Sequence, residues 1–542
     1  MKRNRRVFVV CIDGATFRVI LPMISNGKLL NLKMLIESGA SGNLISTIPT
    51  LSPVAWTSIT TGVNPMKHGI LDFIAFDKQK KSFVLFDSSR RHVKPLWSIL
   101  SEFGYKTCVI NVPMTYPADR VNGFMISGLG TPPGGENLAY PRDTYDEMVR
   151  ELGNYRIDID ASMDRVDFDE MIQSMRSTMD SRIRAMNFLL NKEYWDFFMI
   201  VFTVTDRAQH FFWSFMDSSH QKYNVKMATK YGDIIYEMYE KVDSAIGQIL
   251  KHMEDDDYLI LVSDHGFGPL HKGFSMSRWL WENNYLTVRR HPRTNAPLNL
   301  FKMMKRLIPL KIRYFVRKNI FKDKGYHRAI LSYMDGIVWE KTRVFCHKMF
   351  EATFMYLNDA ILKDRYQVDD LKKEITLKLK EIRDPSTGVN IFQDIIDGNN
   401  LFKGDAPYIP DLVIVPSENY DIYFDLYDFQ NRPLFQDNTP WSGKHDPEGI
   451  FVIYGPDVKR GEEIEGVHVV DVAPTIYFLY RIPVYRDIDG RVIKECFTEE
   501  FLKRSPILVN NTDIMVEKGD ESSLSVEESE AISKKLKELG YL

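Results

Sequence analysis

Four side chains of the kinds that bind metal ions stand at or just after the ends of short apolar segments of this 542-residue chain: Asp13, Asp206, Asp264 and His265. In an open α/β sheet, ligands bind where loops leave the carboxyl ends of the strands. A single acid there is weak evidence, because Asp is common in turns and helix caps. Three segments that end in this way are more informative and predict a shared ligand site.

The spacing of Asp206 and His210 suits a shared cation. Residues four apart on a helical turn lie on one face, where a carboxylate and an imidazole can reach the same ion. The alternative is an ordinary helix start, in which Asp206 is a cap and His210 packs against the aromatic residues that follow it. Asp264 and His265 precede Gly266. Their adjacent side chains point in different directions, which suits a tight loop that supplies one metal.

Ser52 is the candidate nucleophile, and it directly precedes Pro53. Proline suits the first position of a helix, which would put Ser52 at the positive end of the helix dipole. Phosphate oxygens are favoured at that end. The alternative is that Ser52 is only an N-cap, worth about 1 kcal/mol and without a catalytic part. The two roles are compatible.

Short apolar runs alternate with longer amphipathic stretches, a pattern typical of an α/β fold with a mostly parallel sheet between helices. The predicted strands are Val7–Ile12, Thr107–Asn111, Phe197–Val204, Tyr258–Val262, Leu412–Val415 and Ile450–Tyr454. The predicted helices are Pro53–Thr61, Lys94–Phe103, Phe168–Leu190 and Tyr231–Met253. These elements would carry the candidate residues at their ends.

The chain divides into four predicted parts. They are a first part of the catalytic core at 1–284, an insertion at 285–410, a second part of the core at 411–505, and a polar linker with a C-terminal amphipathic helix at 506–542. That helix, expected from Glu527 to Leu542, is interpreted as a docking or capping element.

The segment 289–328 is strongly basic and carries interleaved apolar residues. Its simplest interpretation is a solvated insertion whose apolar face packs on the core. Two alternatives remain: a cap that attracts an anionic substrate, and a contact with a membrane surface.

Net charge, cysteine spacing and the lengths of apolar segments limit the classes of function to be considered. A formal net charge of −3 predicts no general attraction to nucleic acid. Four widely spaced cysteines, Cys11, Cys108, Cys346 and Cys496, argue against a disulfide framework and for a reducing compartment. The basic N-terminus leads into an apolar run too short for a signal peptide, and no segment has the roughly 20 apolar residues of a membrane span. A cytoplasmic location is therefore expected.

With these pieces assembled, the chain resembles the alkaline-phosphatase-like superfamily. It looks closest to the branch of type I phosphodiesterases and nucleotide pyrophosphatases, and to prokaryotic proteins described as phosphohydrolases or phosphomutases. The order of the motifs matches that of the family over nearly the whole chain. The motifs are Val9–Gly14, Thr61-Gly62, Pro65–Ile70, Asp206–His210, Asp264–Gly266, Gly443–His445, Gly449–Phe451 and Asp471–Thr475.

The resemblance implies two metal sites and a nucleophile. Asp13, Asp264 and His265 would bind one ion together with Ser52, while Asp206, His210 and His445 would bind the other. Ser52 lies ten residues before Gly62, which is the family's spacing between its nucleophile and the Thr-Gly pair. His68 falls in the family's His-Gly motif and is taken as structural.

The chain departs from the family in one respect. The phosphodiesterase branch places an Asn shortly after its His-Gly-Ile motif to hold a phosphoryl oxygen, whereas here Ile70 is followed by Leu71, Asp72 and Phe73. Asn111 could take over that contact, although a plain strand-end Asn is the simpler interpretation. The Cys/Ser-x-Pro-x-Arg motif of sulfatases is missing around Ser52, which disfavours sulfatase activity.

The resulting hypothesis is a hydrolase of small phosphate mono- or diesters that forms a phosphoseryl intermediate on Ser52. Mixed Asp and His ligands suit two divalent ions, Zn²⁺ first and Mn²⁺ second. A phosphomutase or phosphotransferase with the same metal core is the alternative, and a non-catalytic binding protein on this fold is a third. The substrate itself and the oligomeric state stay open.

Overall fold

The structure is a computed structural model that describes residues 5–160, 167–289, 336–348, 353–362, 364–402, 407–424, 429–437, 441–516 and 524–539. The expectations for the basic segment 289–328 lie outside these residues, apart from Arg289 itself. In the described parts of the chain no single helix meets the length and composition criterion for a membrane span, although the bent pair Phe17–Ser25 and Leu30–Ser38 meets it jointly.

The strands are numbered in chain order. They are β1 (Val7–Ile12), β2 (Ala40–Ile45), β3 (Ile74–Asp77), β4 (Ser82–Leu85), β5 (Thr107–Val112), β6 (Gly123–Ser127), β7 (Ala139–Tyr140), β8 (Phe197–Phe202), β9 (Tyr258–Val262), β10 (Gly266–Pro269), β11 (Lys272–Ser275), β12 (Val344–Lys348), β13 (Thr353–Leu357), β14 (Phe392–Asp397), β15 (Leu412–Pro416), β16 (Tyr420–Tyr423), β17 (Phe435–Gln436), β18 (Gly443–Asp446), β19 (Glu448–Tyr454), β20 (Glu462–Glu463), β21 (Val467–His468), β22 (Val484–Tyr485) and β23 (Val509–Asn510).

The α-helices are numbered in the same way. They are α1 (Phe17–Ser25), α2 (Leu30–Ser38), α3 (Ser52–Thr61), α4 (Pro65–His68), α5 (Leu96–Glu102), α6 (Arg142–Leu152), α7 (Phe168–Lys192), α8 (Val204–Met216), α9 (Val225–Tyr231), α10 (Ile234–Leu250), α11 (Met276–Glu282), α12 (Arg365–Lys380), α13 (Gly398–Leu401), α14 (Val472–Leu479), α15 (Glu499–Arg504) and α16 (Val526–Glu538).

A ten-stranded sheet forms the centre of the fold, in the order β20-β2-β19-β9-β1-β8-β5-β6-β7, with β21 beside β2. Strand β1 lies between β8 and β9 and is parallel to both. Strands β5 and β6 continue the parallel set, whereas β19 is antiparallel to both of its neighbours. The expected α/β fold with a mostly parallel sheet between helices is confirmed.

Strand β1 shows why the sheet is covered on both faces. Every residue from Val7 to Ile12 is buried, as expected for a parallel strand between two layers of helices. Phe8, Val10 and Ile12 face the apolar layer that includes residues of α1, α2, α7 and α10. Val7, Val9 and Cys11 face the other layer, to which α3, α5 and α14 contribute. The odd and even residues of one strand thus serve two cores.

A second, antiparallel sheet lies outside the central one, in the order β12-β13-β15-β14. It includes Leu412–Pro416, so the strand predicted there is confirmed, but its expected place in the central sheet is wrong. Strand β15 lies between β13 and β14, pairs antiparallel with both, and buries Leu412, Val413 and Ile414 there. The division of the chain into a core and an insertion stays a prediction, with 412–416 paired on the insertion's side.

The remaining predicted elements are found within a few residues of the expected bounds. The predicted helix Tyr231–Met253 is α10, Ile234–Leu250, and Tyr231 is instead the last residue of α9. The C-terminal helix α16 begins with a capping box formed by Ser525 and Glu528. It docks on the core through buried apolar residues and through Lys535, whose ammonium donates to the Ile159 carbonyl at 2.8 Å.

Candidate metal centre

The carboxyl ends of three neighbouring strands bring the acidic candidates together. Asp13 follows β1, Asp206 lies in the first turn of α8 after β8, and Asp264 follows β9. All three side chains are buried, and the Asp13 amide donates to the Phe202 carbonyl at 3.0 Å. The parallel pairing of these strands therefore places three carboxylates at one edge of the sheet.

His445 reaches the same place from a distant part of the chain through an antiparallel strand pair. Strand β18 pairs with β10, and in that register Phe267 stands opposite His445. The rings of His265 and His445 stack with centroids 3.6 Å apart. Gly443 allows the close approach, since a Cβ there would lie 2.4 Å from the Gln209 carbonyl oxygen.

The three imidazoles present the same nitrogen to the carboxylates. The Nδ1 atoms of His210, His265 and His445 lie 3.2, 3.0 and 3.0 Å from the carbonyl oxygens of Gly443, Gly266 and Thr50, respectively. A carbonyl oxygen only accepts, so each Nδ1 carries a hydrogen and the neutral ring has its lone pair on Nε2. Such a backbone contact is the usual support of a histidine that binds metal through its other nitrogen.

The Nε2 atoms of His210 and His445 lie 3.1 Å apart. Two lone pairs at that distance cannot hydrogen-bond to each other. The Oδ1 atom of Asp206 faces both nitrogens, at 3.4 Å from His210 and 3.2 Å from His445. A cation among these three atoms would satisfy all of them.

The carboxylates also present buried oxygens that lack a hydrogen-bond partner. These oxygens are Asp13 Oδ1, Asp206 Oδ1 and Asp264 Oδ2. Burial, with the nearby charge of Asp264, raises the pKa of Asp13 well above its usual range, and burial also raises that of Asp264. Buried carboxylates this close are costly without a cation. The residues present therefore fit divalent metal ions.

Ligand atoms fall into two overlapping groups, each with donor atoms within 4.8 Å of one another. One group is Asp13, Asp264 and His265, and the other is Asp206, His265 and His445. These groups contain five of the six metal ligands predicted from the sequence, and His210 is the sixth, with its Nε2 3.1 Å from that of His445. The assignment of each ligand to one of two ions stays a prediction.

The six predicted ligands together form a cage of side chains. Ser52 lies inside it, as the first residue of α3. Its Oγ lies 3.2 Å from His265 Nε2, and the hydroxyl donates to the lone pair of that nitrogen. The alternative that Ser52 caps the helix is wrong: Leu51 occupies the cap position and no side chain caps α3. Pro53 is accordingly the second residue of the helix. The hydroxyl is directed at the ligands instead of the helix backbone.

The alternative for Asp206 is wrong for a similar reason. The residue before α8 is Thr203, and no side chain forms a cap there. Asp206 is the third residue of the helix, and its Oδ1 points toward His210 one turn later. The spacing of four residues places both side chains on one face of α8, as expected, and the shared cation stays a prediction.

Asn111, the candidate for the missing phosphoryl contact, lies in β5 near its end with a positive φ of 67°. Its side chain is fully buried, and its Oδ1 accepts a hydrogen bond from Tyr155 at 3.2 Å, while its Nδ2 has no partner. A role in substrate binding stays a prediction. Phe73, which stands near the position where the Asn of the family is expected, is buried.

His68 supports α3, the helix that begins at Ser52. Its Nδ1 accepts from the Ile70 amide at 3.1 Å, so Nε2 donates to Ser58 at 3.1 Å. Burial and the positive charge of Arg91 lower the pKa of His68 to about 3. The ring is a neutral structural element, in agreement with its interpretation from the sequence.

Sequence reasoning missed the residues that hold the ligands. Trp56 Nε1 donates to Asp13 Oδ2 at 3.3 Å, and Arg207 donates to Asp206 Oδ2 at 2.6 Å. Arg207 lies inside the motif Asp206–His210, and Trp56 lies between Ser52 and Gly62, so these positions were the available signal. Asp158, which binds Arg207, lies in a segment with no motif.

Comparison with solved structures supports the fold. Human ectonucleotide pyrophosphatase/phosphodiesterase 5 is similar with a TM-score of 0.51 and 12% identity, over 90% of this chain and 97% of that one. Phosphonoacetate hydrolase from Sinorhizobium meliloti, in complex with phosphonoformate, is similar with a TM-score of 0.53 and 14% identity, over 88% and 95%. The murine ectonucleotide pyrophosphatase/phosphodiesterase 5, in complex with AMP, gives a TM-score of 0.50 and 12% identity, over 88% and 96%.

Comparison at the level of sequence identifies the family. No curated protein matches the chain. The family model of type I phosphodiesterases and nucleotide pyrophosphatases matches residues 7–441, which include five of the six predicted metal ligands and end just before His445. The chain belongs to the type I phosphodiesterase/nucleotide pyrophosphatase family.

Proposed function

We propose that this protein hydrolyses small phosphate esters through a phosphoseryl intermediate on Ser52. The observation that carries the proposal is the position of Ser52 Oγ, 3.2 Å from His265 Nε2, inside a cage of three carboxylates and three imidazoles. A hydroxyl that does not cap its helix is available as a nucleophile.

Enzymes of this family depend on metal ions, typically two divalent ions. The mixed carboxylate and imidazole donors favour Zn²⁺, with Mn²⁺ as the second choice. Bound there, the ions would neutralise charge on the phosphoryl oxygens and lower the pKa of the Ser52 hydroxyl.

Residues of the chain orient the Ser52 hydroxyl and provide a positive helix end for the phosphoryl group. Ser52 starts a ten-residue helix, whose positive end favours the phosphoryl oxygens. Oγ attacks phosphorus in line, the bond to the leaving oxygen breaks, and the phosphoserine is then discharged to water. Trp56, one turn after Ser52, holds Asp13 through its indole N–H.

The test is a substrate panel for the metal-stripped, full-length protein. It contains nitrophenyl phosphate monoesters and diesters and nucleotide esters, because the murine relative was solved with AMP. We expect turnover only after Zn²⁺ or Mn²⁺ is added, and phosphoserine at residue 52 in protein quenched during turnover. Lack of turnover on the whole panel would reject hydrolysis. Transfer of the phosphoryl group to an added alcohol in preference to water would favour the transferase alternative.

A further inference from the structure

Arg207 contacts the metal-ligand carboxylate that precedes it in the chain. Its Nη1 donates to Asp206 Oδ2 at 2.6 Å, a short charge-assisted hydrogen bond. The other oxygen of that carboxylate, Oδ1, is the one that faces His210 and His445. The two oxygens of Asp206 therefore have separate partners: one faces the guanidinium and one faces the ion site.

Asp158 fixes Arg207 from the opposite side. The Nε and Nη2 atoms of Arg207 donate to the two oxygens of Asp158 at 3.3 and 2.8 Å, a two-bond fork that sets the plane of the guanidinium. Both side chains are buried, Arg207 with 3% of its surface exposed and Asp158 with 5%. A buried pair of this kind leaves the guanidinium little freedom to rotate.

The segment that carries Asp158 is itself anchored to the core. Arg182 of α7 donates to the Val201 carbonyl of β8 and to the carbonyls of Arg156, at 3.2 Å, and Ile157. Lys535 of α16 bonds to the two residues that follow Asp158, donating to the Ile159 carbonyl at 2.8 Å and to the Asp160 carboxylate at 2.8 Å. The fork is thus built on backbone that two other helices hold in place.

We propose that Arg207, oriented by Asp158, is a positioning residue that makes Asp206 a one-oxygen ligand of the ion shared with His210 and His445. The inference deepens the proposed function and rests on its metal cage. With Oδ2 engaged by the guanidinium, only Oδ1 is free to bind the ion, and the carboxylate cannot rotate away from it. Partners of this kind commonly change metal affinity by roughly 10–100-fold.

The experiment measures metal affinity directly, without substrate. Full-length, metal-stripped protein is dialysed against buffered Zn²⁺, and bound zinc is counted by elemental analysis. We expect R207M to weaken one of two sites by roughly 10–100-fold and to leave the other unchanged. R207K, which keeps the charge without the fork, should lie between R207M and wild type. D158N should weaken the same site by less than R207M.

The chain offers a matched control at the other end of the same strands. Arg6, just before β1, donates to Asp257, just before β9, at 2.9 and 2.6 Å, and both side chains are buried. R6M should lower the Tm while both zinc affinities stay at the wild-type level. A loss of affinity in R6M equal to that in R207M would show general loosening of the fold and overturn the proposal.

Other outcomes are also decisive. Wild-type affinity at both sites in folded R207M would overturn the proposal, and if R207M does not fold, wild-type affinity in D158N would do so. Because the assay needs no turnover, failure of the substrate panel with intact zinc binding would reject the proposed function and leave this inference standing. A wild-type protein that binds no zinc would reject the inference itself.

Discussion

The two sides of the cage hold their carboxylates in different ways. On the nucleophile side, defined by Ser52, Asp13, Asp264 and His265, the supporting donors are neutral. Trp56 donates to Asp13 and the Gly14 amide donates to Asp264, both at 3.3 Å. On the arginine side, defined by Asp206, His210 and His445, the support is the Arg207 guanidinium at 2.6 Å.

The difference shows in the protonation of the acids. Burial raises the pKa of Asp13 and Asp264 on the nucleophile side, and neutral donors do not offset it. Burial acts on Asp206 as well, but the positive charges that a protonated His210 and the Arg207 guanidinium place beside it outweigh burial and hold the pKa of Asp206 well below its usual range. The arginine side therefore keeps a charged carboxylate without an ion, whereas the nucleophile side needs a cation for that.

The largest expected effect is the loss of turnover in a Ser52 variant that still binds metal on the nucleophile side. Ser52→Ala should lower turnover by about 10³-fold or more, because the attacking oxygen is lost, while zinc content stays at the wild-type level. Steady-state kinetics and elemental analysis measure the two effects. Turnover like that of the wild type would remove Ser52 as the nucleophile.

A matched control lies on the same helix. Ser58 is buried in α3 and bonds to His68, outside the cage. Ser58→Ala should keep most of the turnover. An equal loss in both variants would assign the effect to the helix and not to the Ser52 hydroxyl.

The next effect tests whether the two sides bind separate ions. His445→Ala removes one imidazole of the arginine side and should strip that ion while the nucleophile side keeps its own. Elemental analysis of the dialysed variant should show about half of the wild-type zinc. Unchanged zinc content would contradict the division of the cage.

His220→Ala is the matched control for His445→Ala. His220 is also buried, but its Nε2 donates to the Leu270 carbonyl at 3.0 Å and it is not among the cage ligands. The variant should retain both ions. A loss of zinc there would mean that any buried imidazole in this layer affects the cage.

The smallest expected effect comes from removing the neutral donor to Asp13, which can be compared with removing the guanidinium that supports Asp206. Trp56→Phe removes the N–H that holds Asp13 but keeps an aromatic ring in the core. A neutral hydrogen bond contributes about 1 kcal/mol, so zinc affinity on the nucleophile side should fall about fivefold. Equilibrium dialysis should show a smaller loss than in R207M. A loss on the arginine side, or one larger than that of R207M, would contradict the comparison.

Much of this arrangement could be predicted from the sequence because strand ends and motif order are local signals. Asp13, Asp206 and Asp264 end or follow apolar runs, and the structure gathers them at one sheet edge. The pairing of strands is not local: the run at Leu412–Val415 was identified as a strand, but its apolar pattern does not say which sheet it joins.

The supporting residues were hidden for the same reason. Asp158 meets Arg207 only because Arg182 and α16 fold its segment against β8, and no spacing along the chain records that contact. The conformation of Ser52 was also beyond local signals. A serine before proline has the composition of a helix cap, and only the path of the backbone places it one position later, inside α3.

The late position of His445 in the chain determines when the predicted ligand set becomes complete during translation. His445 lies 235 residues after His210 and reaches the cage only when β18 pairs with β10. Translation proceeds from the N-terminus, so the other five predicted ligands have left the ribosome long before His445 is made. A polypeptide released or cleaved ahead of residue 445 lacks that imidazole, and so only products that extend past residue 445 contain the entire predicted ligand set.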